Sequence, residues 1–368
     1  MESSAEAAGT ATPAKAREAT ANRAITRAEF IESTDPRWLE FLGEARHDIY
    51  QWPRYTEVEA RYLNGRSIAF IGEIPGARCL IPLTERKLPA HVRGGEAFTD
   101  AISPYAMGGP VFHGDASRAH ELLALFARTC KERRLVAAYL RMHALLAPDW
   151  ATQTPHGVLG QMGEMVWIDL RRPEEELRAE VSPRRRRGLR KVEKAGFVAE
   201  LDDWSAYDRF KEMYGPAMTR LGATPFHHFS PAYFDDLRAS LGDKLHLCTV
   251  RAPDGTVCDA GTYTIEDGIV EYHLGCTDEA WRKHAPSQLR YDFMWRWARS
   301  IGAEIYNLGG GLPSLMEFKN GFATTRAKNY SIRIVGDPEG YAALLRDNGI
   351  DAPADGTDGF FPAYRSRE

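Results

Sequence analysis

The 368-residue chain is poor in cysteine. Cys79, Cys130, Cys248, Cys258 and Cys276 are scattered, and none forms a Cys-x-x-Cys pair. That spacing excludes a zinc ribbon, argues against a disulfide framework and fits a reducing, cytoplasmic compartment. No apolar run approaches the roughly eighteen residues that a membrane-spanning helix needs, so no span is expected. Residues 1–24, rich in Ala, Thr and Glu, lack the apolar block of a signal peptide and read as a disordered tail. Positive charge is not in excess either. Lys and Arg number 47 against 51 Asp and Glu, a formal charge of -4, so any polyanion has to meet a local patch. His227 and His228 have no third ligand at metal spacing, and neither a Gly-x-Ser-x-Gly elbow nor a Cys/His nucleophile pattern occurs. No metal is expected.

What is present is enough apolar sequence, 43%, to fill more than one core in a chain of this length, so two domains are expected. Helical and strand patterns alternate, which makes the class mixed α and β. In the first half, Asp35-Pro36 caps a short helix over Arg37–Ala45. Runs Ser67–Glu73 and Arg78–Leu83 read as a hairpin turning at Pro75-Gly76, and an amphipathic helix over Ser117–Arg134 precedes a strand at Val136–Met142. In the second half, Met165–Leu170 reads as a strand. A helix, or a pair broken at Ser182-Pro183, runs from Pro173 to about Gly196, followed by a strand at Phe197–Leu201 and two helices capped by Asp203 and Ser230. A three-strand meander over Leu245–Gly275, a helix over Ser287–Ile301 and a strand at Glu304–Leu308 follow. Helices, then an antiparallel meander, then a crossover to a parallel neighbour is the order of GNAT acyltransferase folds. The first half is a weaker copy, so the architecture expected is two GNAT-like domains in tandem. From Asp351 on, Gly, Asp and Pro predict a loose C-terminal tail over 351–368.

Two segments carry candidate chemistry. Arg184–Lys194 holds seven basic groups and one acid, the densest charge on the chain. Four consecutive arginines on a helix point in every direction. A solvated face accounts for some of them, while the planar guanidinium fork suits phosphate oxygens of a nucleotide or an RNA backbone. The second segment is Asn307-Leu308-Gly309-Gly310-Gly311, where a strand ends in three glycines that let a backbone approach closely. It is followed by Glu317-Phe318-Lys319-Asn320-Gly321-Phe322. Phe318 and Phe322 read as a core face, with Lys319 projecting off it at a cleft edge, where an ammonium suits an oxyanion. Tyr214 and Met218, one turn apart, read as core or cleft wall.

These residues, in this order, resemble the Fem family. The resemblance rests on Ser-x-x-x-Arg-x-x-x-Arg-Lys before Lys194-Ala195-Gly196, on Met218-Thr219-Arg220-Leu221-Gly222-Ala223 and on Tyr272-His273-Leu274-Gly275-Cys276. Leu308-Gly309-Gly310 with Glu317-Phe318-Lys319-x-Gly321-Phe322 completes it. The resemblance runs from about Trp38 to Val335 and is strongest after Val166. It implies an aminoacyltransferase that takes an amino acid from aminoacyl-tRNA and attaches it to an amine, on a small peptide or a peptidoglycan precursor, with no further cofactor. It implies twin GNAT-like units: 25–160 completed by 331–350, and 161–330. It places Phe318 and Lys319 at the catalytic pair. Arg184, Arg186, Arg187 and Arg190, with Tyr214, Tyr272, Gly309 and Gly310, are placed around the substrates. Where cell-wall members tend to carry a lysine, this chain reads Thr56-Glu57-Val58-Glu59, with Arg61 the nearest base, which disfavours a muramyl-nucleotide acceptor. No heptad insertion occurs, so no coiled-coil arm is expected.

The alternative on the same fold is an N-acyltransferase that uses acetyl-CoA or another acyl-CoA. Such enzymes hold pyrophosphate on glycine-rich amides at a helix start. Here that stretch is Trp281-Arg282-Lys283-His284-Ala285-Pro286-Ser287-Gln288, which lacks glycine and loses one amide donor at Pro286. A non-catalytic RNA- or polysaccharide-binding module is the third reading, compatible with the arginines alone.

Overall fold

The computed structural model describes residues 27–146 and 156–366. The N-terminal tail expected to be disordered lies outside them. Strand β1 (Arg27–Glu32) leads to helices α1 (Pro36–Leu42) and α2 (Pro53–Tyr62), each opened by proline at its first turn, where the missing N–H is not needed. Strands β2 (Arg66–Ile74) and β3 (Ala77–Lys87) form the expected hairpin, and β4 (Thr99–Ile102) pairs antiparallel with β3. The short β5 (Val111–Gly114) pairs with the start of β3, and α3 (Ala119–Arg133) crosses to β6 (Leu135–Arg141), which lies parallel to β4. Leu122, Phe126 and Cys130 recur every four residues on α3 and bury against Phe70, Ile81 and Leu140 of the sheet.

The second half repeats this order. Strand β7 (Val158–Asp169) precedes α4 (Glu174–Glu180) and α5 (Pro183–Lys194), the pair broken at Ser182-Pro183. After β8 (Val198–Leu201), α6 (Tyr207–Arg220) and α7 (Pro231–Leu241) comes the meander β9 (Leu245–Arg251), β10 (Val257–Glu266) and β11 (Ile269–Thr277). Helix α8 (Ser287–Ser300) then crosses to β12 (Ile305–Gly309), parallel to β11. Thus β2-β3-β4-α3-β6 and β9-β10-β11-α8-β12 are the same supersecondary unit used twice. Short α9 (Pro313–Asn320), β13 (Arg326–Val335) and α10 (Pro338–Asp347) follow.

The two units share one thirteen-stranded sheet, ordered β1-β2-β3-β4-β6-β13-β7-β12-β11-β10-β9-β8, with β5 beside β3. Its centre is built from β13, which pairs antiparallel with both β6 and β7, and from β7, which pairs with β12. Among the described residues the longest helix is α3, with 15 residues, so none extends as a coiled-coil arm. No helix there is long and apolar enough to cross a membrane. All five cysteines are free and buried.

The C-terminal segment expected to be loose is instead anchored. Phe361, Ala363 and Tyr364 pack with Val136, Tyr341 and Leu344. Asp100, wholly buried, accepts from Tyr364 Oη at 3.1 Å and pairs with Arg86 at 3.0 Å and with Arg365. The turn-forming composition up to Gly359 conceals an aromatic and cationic plug that a buried carboxylate requires. Arg365→Ala leaves Asp100 with Arg86 and Tyr364 and should cost about 2 kcal/mol, read as a lower urea midpoint. An unchanged midpoint would show that the plug is dispensable.

Candidate active site

Strands β11 and β12 run parallel only over Ile269–Glu271 and Ile305–Asn307, and then part. Gly309-Gly310-Gly311 turns the chain at that point. Gly309 and Gly311 have φ of +74° and +145°, and a Cβ on Gly310 would lie 2.9 Å from the Glu164 carbonyl oxygen of β7, so side chains are excluded from the bend. The turn feeds α9, whose last residues return toward the glycines. Lys319 Nζ donates to the Gly310 carbonyl at 2.5 Å and lies 5.3 Å from the Tyr272 ring centroid on β11.

Lys319 is therefore not at an exposed edge, as its spacing from Phe318 and Phe322 predicts, but is 2% exposed. Helix α9 has only eight residues and packs on β7, and its last turn brings Lys319 against Tyr272 of β11 and the glycine bend. A carbonyl and an aromatic face replace water around the ammonium. Burial, reinforced by the cation of Arg290, pulls its proton affinity down to about 7, and Glu271, when ionised, acts in the opposite direction. Near neutrality Lys319 is thus divided between ammonium and amine.

Arg290 on α8 is buried and pairs with the buried Asp259 of β10. It also donates to Tyr263 Oη at 2.7 Å and lies 5.2 Å from the ring centroids of both Tyr272 and Tyr291. This fixed ion pair holds the aromatic wall against which Lys319 rests. On the other side lie Glu271 and Asn307, directly in register on β11 and β12. Asn307 Nδ2 donates to Glu271 Oε1 at 3.0 Å, and Asn307 Oδ1 accepts from Gly309 N at 2.8 Å, tying the carboxyl to the glycine bend.

Lys319, Phe318, Tyr272, Gly309 and Gly310 thus come together. The arginines divide. Arg186 donates to the Val181 carbonyl at 2.6 Å, closing the end of α4, because a helix terminus leaves carbonyls without partners. Arg184 meets Glu317 at 3.3 Å on the surface, both about three-quarters exposed (76% and 75%). Arg187 and Arg190 are exposed on α5 and, among the described residues, make no ion pair. The candidate that does touch the site's helix is the neighbouring Arg185, whose guanidinium stacks 4.2 Å from the Phe318 centroid. The cluster therefore borders α9 through Arg184 and Arg185 and does not converge on Lys319. Tyr214 is core: it is 5.0 Å from Phe234 and 6.0 Å from Phe210 in an aromatic cluster between α6 and α7. Arg290, Asp259 and Glu271 escape sequence reasoning, and Asn307 enters it only as the first residue of the glycine segment, without a role. The parallel register of β11 and β12 is the one pattern that links two of them.

An acetyltransferase (GNAT) domain model matches residues 180–320, the span that contains α5, the meander, the glycine bend and Lys319. No curated protein matches the chain significantly. The crystal structure of FemX superposes with a TM-score of 0.61 at 15% identity, covering 82% of this chain and 96% of that one. The chain shares the fold of FemX. The C-terminal domain (DUF2156) of a putative lysylphosphatidylglycerol synthetase from Agrobacterium fabrum follows at TM-score 0.54 and 15% identity, covering 88% of this chain and 98% of that one. The L-PGS structure from Bacillus licheniformis superposes at 0.51 and 13%, covering 87% and 97%. The matched span 180–320 falls on the second of the two repeated units traced above.

Proposed function

We propose that the chain moves an amino acid from aminoacyl-tRNA to the amine of a small peptide or cell-wall precursor, forming an amide. The observation that carries this reading is Lys319, buried against the glycine bend where β11 and β12 separate within the GNAT domain. The reading is supported by the fold shared with FemX and with a lysylphosphatidylglycerol synthetase domain.

An aminoacyl ester is already activated, so the protein has to align a neutral amine with its carbonyl and stabilise charge as the tetrahedral centre forms. The amine nitrogen attacks, the carbonyl electrons move to oxygen, and the collapse expels the ribose oxygen. Lys319 as ammonium offers a donor to either oxygen. When the leaving oxygen takes that proton, Lys319 becomes an amine, and the proton released by the attacking nitrogen returns it to the ammonium. No covalent enzyme intermediate is needed. Tyr272 and the glycine bend shield the ammonium from water, which strengthens that donor.

Incubating the full chain with tRNAs charged with radiolabelled amino acids and a panel of amine acceptors tests the proposal. Label in an amide product supports it. Transfer from acyl-CoA alone, with every charged tRNA inert, replaces it with the CoA-dependent reading. The open arginines of α5 supply a second measurement. Arg187→Glu with Arg190→Glu should weaken tRNA binding about tenfold or more near 0.1 M salt and flatten its salt dependence, because two phosphate contacts are lost. An unchanged slope would move the polyanion to another face.

A further inference from the structure

Asp48, at the start of α2's approach, and His143, just after β6, come from the first unit, whereas Glu271 and Asn307 come from the second. All four are buried. One ligand atom each of Asp48, His143 and Glu271 lies within 4.8 Å of the others. Two carboxyls and an imidazole at that spacing suit either a metal ion or protons, and the hydrogen bonds decide between them. His143 Nδ1 accepts from the amides of Leu145 and Leu146, both at 3.2 Å, so Nδ1 carries no proton. The ring proton is therefore on Nε2, which donates to Asp48 Oδ2 at 3.1 Å and has no lone pair left for a metal. Asp48 Oδ1 accepts from Ile49 N at 2.6 Å, so Asp48 is surrounded by donors suited to a carboxylate. Glu271 has one amide donor, Asn307, and a carboxylate for its other neighbour. Two buried anions at this distance do not both ionise, and the less solvated one keeps the proton.

We propose that Asp48 and Glu271 share a single proton across the seam between the units, held mainly on Glu271, and that its location sets the charge facing Lys319. Burial and Asp48 both raise the proton affinity of Glu271 well above the ordinary carboxyl range, in agreement with the hydrogen bonds. The other groups around the pair leave its charge alone. Tyr50, Tyr55 and Tyr105 are phenols that burial keeps protonated. His273 is neutral because burial lowers its affinity to about 3. Arg290, the remaining cation, is committed to Asp259. Asp48 and Glu271 are thus positioning residues that act through Lys319. Their catalytic consequence rests on the role given to Lys319 above, whereas the shared proton does not.

The Lys319 titration, followed by NMR of the full chain labelled at lysine Cε and assigned by loss of the signal in Lys319→Met, tests this directly. Glu271→Gln keeps the pair at one negative charge and should leave the midpoint within a few tenths of a pH unit. Asp48→Asn moves that charge onto Glu271, nearer the ammonium, and should raise the proton affinity of Lys319 about tenfold. A midpoint lowered by about one unit in Glu271→Gln would mean that both carboxyls are ionised and would overturn the proposal. A stoichiometric divalent metal in the purified protein, lost in Asp48→Asn, would overturn it too. Should Asp48→Asn fail to fold, Glu271→Gln decides alone. If both midpoints behave as expected while Lys319→Met retains full turnover, the shared proton stands and the assignment of Lys319 falls.

Discussion

Lys319→Met should lower turnover by about a hundredfold or more, as the loss of a preorganised oxyanion donor does elsewhere, with the protein still folded. Met has nearly the length of the lysine stem and fills the same passage between Tyr272 and the glycine bend. The one group left without a partner is the Gly310 carbonyl. The pH profile gives a sharper test. If the ammonium is the working form, turnover should fall as pH rises through about 7, where Lys319 loses its proton, and that limb should vanish in the variant. Stability should change in the opposite sense. The folded state holds this proton less tightly than the unfolded one, so the burden of burying the charge is complete below pH 7 and disappears as pH climbs toward the ordinary lysine value of 10.5. The variant should therefore be more stable than the parent at pH 6, with the gap closing by pH 10. Equal turnover with and without the lysine would remove it from the chemistry.

The largest effect on stability is expected at Arg290. Arg290→Met leaves Asp259 charged, fully buried and held only by Thr277 Oγ1, a change that typically costs about 3–5 kcal/mol. Asp259→Asn combined with Arg290→Met should recover much of the loss, because two neutral groups then replace an orphaned anion. Chemical denaturation of the single and double variants measures this. A double variant no better than the single one would mean that the guanidinium matters for packing Tyr263, Tyr272 and Tyr291 and not for pairing. In the single variant Lys319 should also hold its proton more tightly, since Arg290 is one of the causes that depress it.

Much of the architecture is legible in the sequence because punctuation and periodicity agree. Pro75-Gly76 and Asp267-Gly268 fall in turns between alternating strands, and α8 and α3 carry their apolar stripes at helical spacing. The centre of the sheet is not legible. Strand β13 reads Arg-Ala-Lys-Asn-Tyr-Ser-Ile-Arg-Ile-Val, whose first half is polar because that part of the sheet is only half-covered. The front of β7, with Gly160, Gln161 and Gly163, is hidden for the same reason. The glycine bend and Lys319 are visible as a motif, but their burial depends on strands that separate, which no local pattern encodes. Arg186 is misread because an arginine satisfying the end of a helix looks, in sequence, like one awaiting phosphate. Asp48 and Glu271 are more than 200 positions apart and meet only through the pairing of two units.

The placement of β13 between β6 and β7 bears on how the protein is made. The free edge of β6 has to wait for a strand that leaves the ribosome only after every element of the second unit has emerged. During that interval an unpaired strand edge is open to illegitimate partners. Cutting the gene between the units would therefore yield two fragments, the first with an unfinished sheet, rather than two working modules.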